Sequence, residues 1–177
     1  MEERKGVTTF RGNPLTLVGP EIKAGDKAPA FSCLDAELKP VCLGDFKGKT
    51  ILIASVPSLD TKVCSVETIR FNKEVERFSA DRFAALTISM DLPFAQDRFC
   101  ATEGIKNLTV ASDHRDAAFG KAYGTLIKEL RLLSRAVFVI DGAGKVLYVE
   151  YVKENTTEPD YASALAVVNK TVGAKAA

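Results

Sequence analysis

The chain has 177 residues, 46% of them hydrophobic and 27% charged, with a formal net charge of +1. That length suits one domain able to bury a core, and the balanced charge gives no electrostatic footing for nucleic acid or an anionic membrane surface. No apolar run approaches the roughly 18 residues of a membrane span, and the N-terminal MEERKGVTTF lacks the apolar middle of a secretory signal, so a cytoplasmic, reducing compartment is expected.

In chain order, residues 7–18 (VTTFRGNPLTLV) read as a β-hairpin around Gly12-Asn13-Pro14. Short strands follow near Phe31–Leu34 and in PVCLGDFKGKT. TILIASV (50–56) is a continuous apolar run, as a central buried strand requires. Residues 64–79 shift to helical period, with Val66, Ile69, Val75 and Phe78 near one face and Glu67, Arg70, Lys73 and Glu74 toward solvent. FAALTIS (83–89) returns to strand. Residues 94–103 and 115–123 read as helices. RAVFVID (135–141) and KVLYVEYV (145–152) form a hairpin around Gly142-Ala143-Gly144, and EPDYASALAVVNK closes the chain as a helix with Pro159 near its start. No repeat, low-complexity tract or linker interrupts this order. Residues 1–177 therefore read as one α/β domain, a mixed sheet with helices on both faces. Several folds satisfy that pattern, and it does not identify a function.

One junction carries chemistry. The strand 50–56 stops at Pro57, and Cys64 follows where the helix begins: VPSLDTKVCSVE, residues 56–67. Unpaired N–H groups and the macrodipole at a helix N-terminus favour an anion, and catalytic thiols use that location. Thr61, three residues earlier, is placed to cap the helix or to hydrogen-bond the sulfur. Pro57 ends the strand and stiffens the loop. Polar neighbours (Asp60, Thr61, Lys62, Ser65) argue against deep burial of the thiol. The four cysteines, Cys33, Cys42, Cys64 and Cys100, include no CxxC pair, and with one histidine, His114, in the polar loop ASDHRD, they make a poor zinc set. Cys33 and Cys42 lie in short apolar segments and read as buried, unreactive thiols. Cys100, beside Phe99, reads equally well as a core residue of a short helix. Arg135, taken alone, reads as a surface charge at a strand end.

Pro57, Thr61 and Cys64 fit the P-x-x-x-T-x-x-C motif, and the chain here resembles the peroxiredoxins. PSLDTKVCSVE, SMDLPFAQDRFC (89–100) and TTEPDY (156–161) are similar to segments of bacterial thiol peroxidases, the atypical two-cysteine group, over about residues 8–170. The resemblance implies a thioredoxin-like fold with an N-terminal β-hairpin and no bound cofactor or metal. It implies Cys64 as the peroxidatic and Cys100 as the resolving cysteine, joined as an intramolecular disulfide that thioredoxin reduces. Thr61 would orient the thiolate or donate to a hydroperoxide, Pro57 would shield the site, and Arg135 would stabilise the thiolate and polarise the peroxide, with Arg131 as the nearby alternative. A homodimer is implied as well. Leu92, Phe94 and Leu133 are candidates for an apolar collar around the substrate. A peroxidase, a peroxide-sensing relay using the same residues, and a non-catalytic binding module remain as readings.

Overall fold

The computed structural model describes residues 1–173; residues 174–177, included in the single-domain expectation, lie outside the described residues. The chain opens with the expected hairpin, β1 (Glu3–Phe10) and β2 (Asn13–Val18), joined through Arg11 and Gly12 at φ 51° and 78°. Two successive residues at positive φ are what a two-residue hairpin turn demands. β3 (Ser32–Leu34) and β4 (Pro40–Cys42) follow, then β5 (Thr50–Ser55), α1 (Lys62–Val75), β6 (Phe83–Ser89) and α2 (Pro93–Glu103). The rest is β7 (Thr109–Ser112), α3 (Ala118–Ala122), β8 (Leu126–Ile127), β9 (Ala136–Ile140), β10 (Val146–Tyr151) and α4 (Tyr161–Val172).

The main sheet has seven strands in the order β10-β9-β5-β6-β7-β3-β4. β5, β6 and β7 run parallel, while β9, β10, β3 and β4 pair antiparallel, so the sheet is mixed as expected. β5 is buried along its whole length. Its side chains alternate: Ile51 and Ile53 join Phe31, Phe119, Tyr123 and Phe138 on one face, and Leu52 and Ala54 join Phe71, Tyr161 and Val168 from α1 and α4 on the other. Burying each such aliphatic side chain contributes about 1.5–3 kcal/mol, which makes the end of β5 a firm base for the loop that leaves it. β1 and β2 form a separate three-stranded sheet with β8. Among the described residues no helix is long and apolar enough to cross a membrane.

Three expectations need correction. β7 and β8 were not anticipated, because four and two residues are too short for a period to register. α3 is five residues, shorter than 115–123. The inward face of α1 is Cys64, Glu67, Thr68 and Phe71, while Val66 is exposed. That stripe has helical spacing, but its polar members hide it from a hydrophobicity pattern.

Candidate active site

β5 hands the chain to a tight segment, residues 56–61, that begins with Val56 N–H donating to Ile88 O (3.0 Å) and buried Pro57. The turn closes where Thr61 N–H donates to Ser58 O (3.1 Å). α1 starts at Lys62, which puts Cys64 in its first turn. On the other side of β5, β9 pairs antiparallel, with Ser55 opposite Ala136. That register carries Arg135, the residue just before β9, to the same end of the sheet as Cys64.

The side chains meet there. Thr61 Oγ1 lies 2.8 Å from Cys64 Sγ and 2.9 Å from Ser58 O. A hydroxyl has one proton, so it donates to one of these at a time. Thr61 occupies the cap position of α1 without capping it through its side chain; of the two expected roles, the contact to sulfur is the one present. Arg135 Nη2 donates to Cys64 Sγ (3.1 Å) and to Asn155 O (2.9 Å), Nε donates to Asn155 O (3.2 Å), and Nη1 donates to Glu67 Oε2. Asn155 Oδ1 in turn accepts from Arg135 N–H (2.7 Å), and its Nδ2 donates to Thr8 Oγ1 (2.9 Å) and Thr9 O (3.0 Å) of β1. The hairpin thus braces the loop that braces the guanidinium. Arg131 is exposed, in a turn at φ 56°.

Burial is deeper than the sequence indicates. Cys64 is 0% exposed and Arg135 1%. The polar residues around Cys64 belong to the loop surface, while the sulfur points inward, packed with Val56 and Leu59 and against Phe99 of α2. Arg135 is likewise no surface charge. Burial pushes the Glu67 carboxyl up to about 7, with the attraction of Arg135 working against the rise. Burial acts to lower Arg135, but Glu67 and then Cys64 outweigh it and hold the guanidinium above its ordinary value, fully charged.

A cleft of about 140 Å³ opens onto this group, lined by Phe10, Pro57, Thr61, Val63, Arg135 and Asn155 among others. It is small, and it combines Pro57, Thr61 and Arg135. A larger hollow of about 460 Å³ lies between the Cys64 loop and α2, walled by Leu59, Ser65, Arg98 and Phe99 among others. Leu92, Phe94 and Leu133 do not collar the cleft: the first two are exposed and Leu133 is fully buried in the core. Phe10, Val63 and Pro57 supply its apolar wall.

Cys100 sits half-buried on α2, and both it and Cys64 are free thiols. Burial, then the charge of Asp97, raises the Cys100 thiol above its ordinary value. Cys33 is buried as expected and donates to Asp113 Oδ1 (3.7 Å); burial, then Asp113, raises it strongly. Cys42 is only half-buried. His114 is half-buried, its Nδ1 2.9 Å from Ser112 Oγ. Among the described residues no three His, Cys, Asp or Glu side chains converge as a metal site. Sequence reasoning missed Glu67 and Asn155. The signal for Glu67 was available: it stands one turn beyond Cys64, on the same helix face. Asn155 adjoins the TTEPDY segment, and nothing in the sequence marks it.

A thiol flanked by a hydroxyl and a guanidinium, at the junction of a central strand and a helix of an α/β fold, is an arrangement suited to chemistry at sulfur. The family model for redoxins matches residues 23–165. A thiol peroxidase of Halalkalibacterium halodurans is 56% identical over 89% of this chain and 93% of its own, and one of Bacillus subtilis is 52% identical over 86% and 90%. The crystal structure of a peroxiredoxin-like protein from Aquifex aeolicus, 42% identical, superposes with a TM-score of 0.86 over 97% of this chain and 100% of that one. The chain belongs to the redoxin family, within its thiol peroxidases, and is an enzyme of the peroxiredoxin type with a thioredoxin-like fold.

Proposed function

We propose that this peroxidase reduces hydrogen peroxide and organic hydroperoxides through Cys64 and Cys100. The observation that carries the reading is the convergence of Thr61 Oγ1 and Arg135 Nη2 on Cys64 Sγ, both residues also lining a cleft. The Cys64 thiolate attacks one oxygen of the O–O bond. A sulfur–oxygen bond forms, the O–O bond breaks, and the leaving oxygen takes a proton to depart as water or an alcohol. Negative charge grows on that oxygen, so a fixed guanidinium and a hydroxyl donor at the site stabilise the transition state. Pro57 and Phe10 limit water around the sulfur. The Cys100 thiol then attacks the Cys64 sulfenic acid, giving an intramolecular disulfide and water. A dithiol reductant of the thioredoxin kind returns both thiols, in a cytoplasmic enzyme acting as one domain and assembling as a homodimer.

Peroxide turnover with a thioredoxin system, for wild type, Cys64→Ser and Cys100→Ser, tests this. Wild type should turn over hydrogen peroxide and cumene hydroperoxide. Peroxide-treated wild type should run on a non-reducing gel as a monomer whose mobility changes on reduction. Cys64→Ser should be inert, and Cys100→Ser should consume one equivalent without turnover. A disulfide-linked dimer lost in Cys100→Ser would place resolution between chains and refute the intramolecular step. One fast oxidation of wild type without turnover would favour a relay.

A further inference from the structure

Asp91, in the short connection between β6 and α2, belongs to no part of the chemistry above, yet it ties together the segments that carry both cysteines. Its Oδ1 accepts from Ser58 Oγ (2.7 Å), and its Oδ2 accepts from Leu59 N–H (2.8 Å) and Ser89 Oγ (2.7 Å). Ser58 and Leu59 form the turn before Cys64. Ser58 O receives the N–H of Thr61 and stands 2.9 Å from the hydroxyl that also reaches Cys64 Sγ. On the other side, Ser89 Oγ accepts from buried Gln96 Nε2 of α2 (2.9 Å), which also donates to Ala111 O (3.0 Å) of β7. Ser112 Oγ donates to the Asp91 backbone carbonyl. One carboxylate therefore fixes the Cys64 turn to the root of the Cys100 helix, with three charge-assisted hydrogen bonds.

We propose that Asp91 is a positioning residue that latches the Cys64 turn in its peroxide-reactive form and, by doing so, delays closure of the disulfide; this rests on the roles of Cys64 and Cys100 proposed above. Those two thiols are unbonded, with Phe99 packed against the Cys64 cluster and the 460 Å³ hollow beside them. Cys64 is fully buried among Val56, Leu59 and Phe99, so in this proposal the turn that carries Leu59 leaves its place for the sulfurs to meet. The Ser58 and Leu59 bonds to Asp91 hold it there. Weakening them shifts population toward the open form. That form has lost the Thr61 geometry, so the first step slows, while closure quickens. A sulfenic acid that closes sooner is less exposed to a second peroxide, which would add its oxygen to give a sulfinic acid and release water. Opposite effects on two consecutive steps are not what a general loss of structure produces.

The full chain is mixed with one equivalent of hydrogen peroxide, quenched by thiol alkylation at set times, and read by intact mass; excess peroxide then reports the sulfinic fraction. Asp91→Asn keeps the shape and has one acceptor oxygen where the carboxylate has two. It should slow the first oxidation by up to about threefold, the population shift that loss of roughly one hydrogen bond produces. It should also speed closure about threefold or more, the effect of roughly one hydrogen bond, and lower the sulfinic yield. Ser58→Ala should move both rates the same way by less. Closure unchanged or slower in Asp91→Asn with native near-ultraviolet dichroism, or both rates falling together, overturns the latch. If Asp91→Asn does not fold, Ser58→Ala decides: wild-type rates in both steps overturn it. Failure of the wild type to form the intramolecular disulfide would bring down the two-cysteine reading itself, a result recognisable without any Asp91 variant.

Discussion

Arg135 points in three directions at once, toward Cys64 Sγ, Glu67 and Asn155 O. A planar fork does this; an ammonium group, a single point of charge on a flexible stem, does not. In Arg135→Lys the charge survives and the geometry is lost, so stopped-flow peroxide kinetics should show the rate constant of the first oxidation falling about tenfold or more. A wild-type rate would remove the fork from the mechanism. Glu67 explains why a buried guanidinium is tolerated. A lone buried charge costs several kcal/mol, and Glu67 supplies a counter-charge from the adjacent helix turn. When the sulfur is anionic, two anions share one cation, and the rise of Glu67 to about 7 lets it take up a proton near neutral pH.

Among the elements, the loop after β10 links the hairpin to the site. The Glu154 carboxylate accepts from Arg11 and Gly12 N–H (both 3.0 Å), Thr9 Oγ1 (2.7 Å) and Thr156. Desolvation acts to raise this carboxyl, but the bonds from Gly12, Thr9 and Thr156 outweigh it and hold it at about 2, against an ordinary 4.5. A carboxyl depressed in the folded state contributes stability that is present above about pH 4.5 and lost as pH falls through about 2. Urea melts of wild type and Glu154→Gln should therefore differ most at pH 5 and above, the wild type being more stable, and converge near pH 2; an unchanging gap would show that the carboxylate charge is not what matters. The parts of the site local in sequence were legible in it: β5, its stop at Pro57, and the thiol at the following helix start. Arg135 was legible only through family likeness, because tertiary pairing alone brings β9 beside β5. Asn155 and Asp91 act through hydrogen bonds between segments far apart in the chain, and no local period records those. Glu67 was misplaced because Val66 and Ile69 set the apparent phase of α1, whereas the buried stripe runs through polar residues.

At the scale of the whole molecule, the cleft is where two sheets meet. Phe10 comes from the hairpin sheet and Arg135 from the border of the main sheet. Backbone bonds from Thr9 N–H to Lys153 O (2.8 Å) and from Asn155 N–H to Thr9 O (2.9 Å) fasten the hairpin to the loop that leaves β10, and Arg4 donates to Gly124 O (2.5 Å) between α3 and β8. The expected consequence is all-or-none behaviour. Far-ultraviolet dichroism, near-ultraviolet dichroism and the first-step peroxide rate of the reduced protein should be lost at one urea midpoint. Activity lost at a lower urea concentration than the dichroism would mean that the hairpin sheet peels away first.

The depth of Cys64 also separates time from chemistry. A sulfur with no exposed surface, packed with Leu59 and against Phe99, meets a reagent from solution only as far as the fold around it gives way. Bulky disulfides and maleimides, however reactive toward thiols in water, have to wait for the fold to breathe. The rate at which a maleimide labels Cys64 is then set by the opening of the protein and becomes independent of reagent concentration once capture outpaces closing. Such labelling is a clock for the enzyme's own motion.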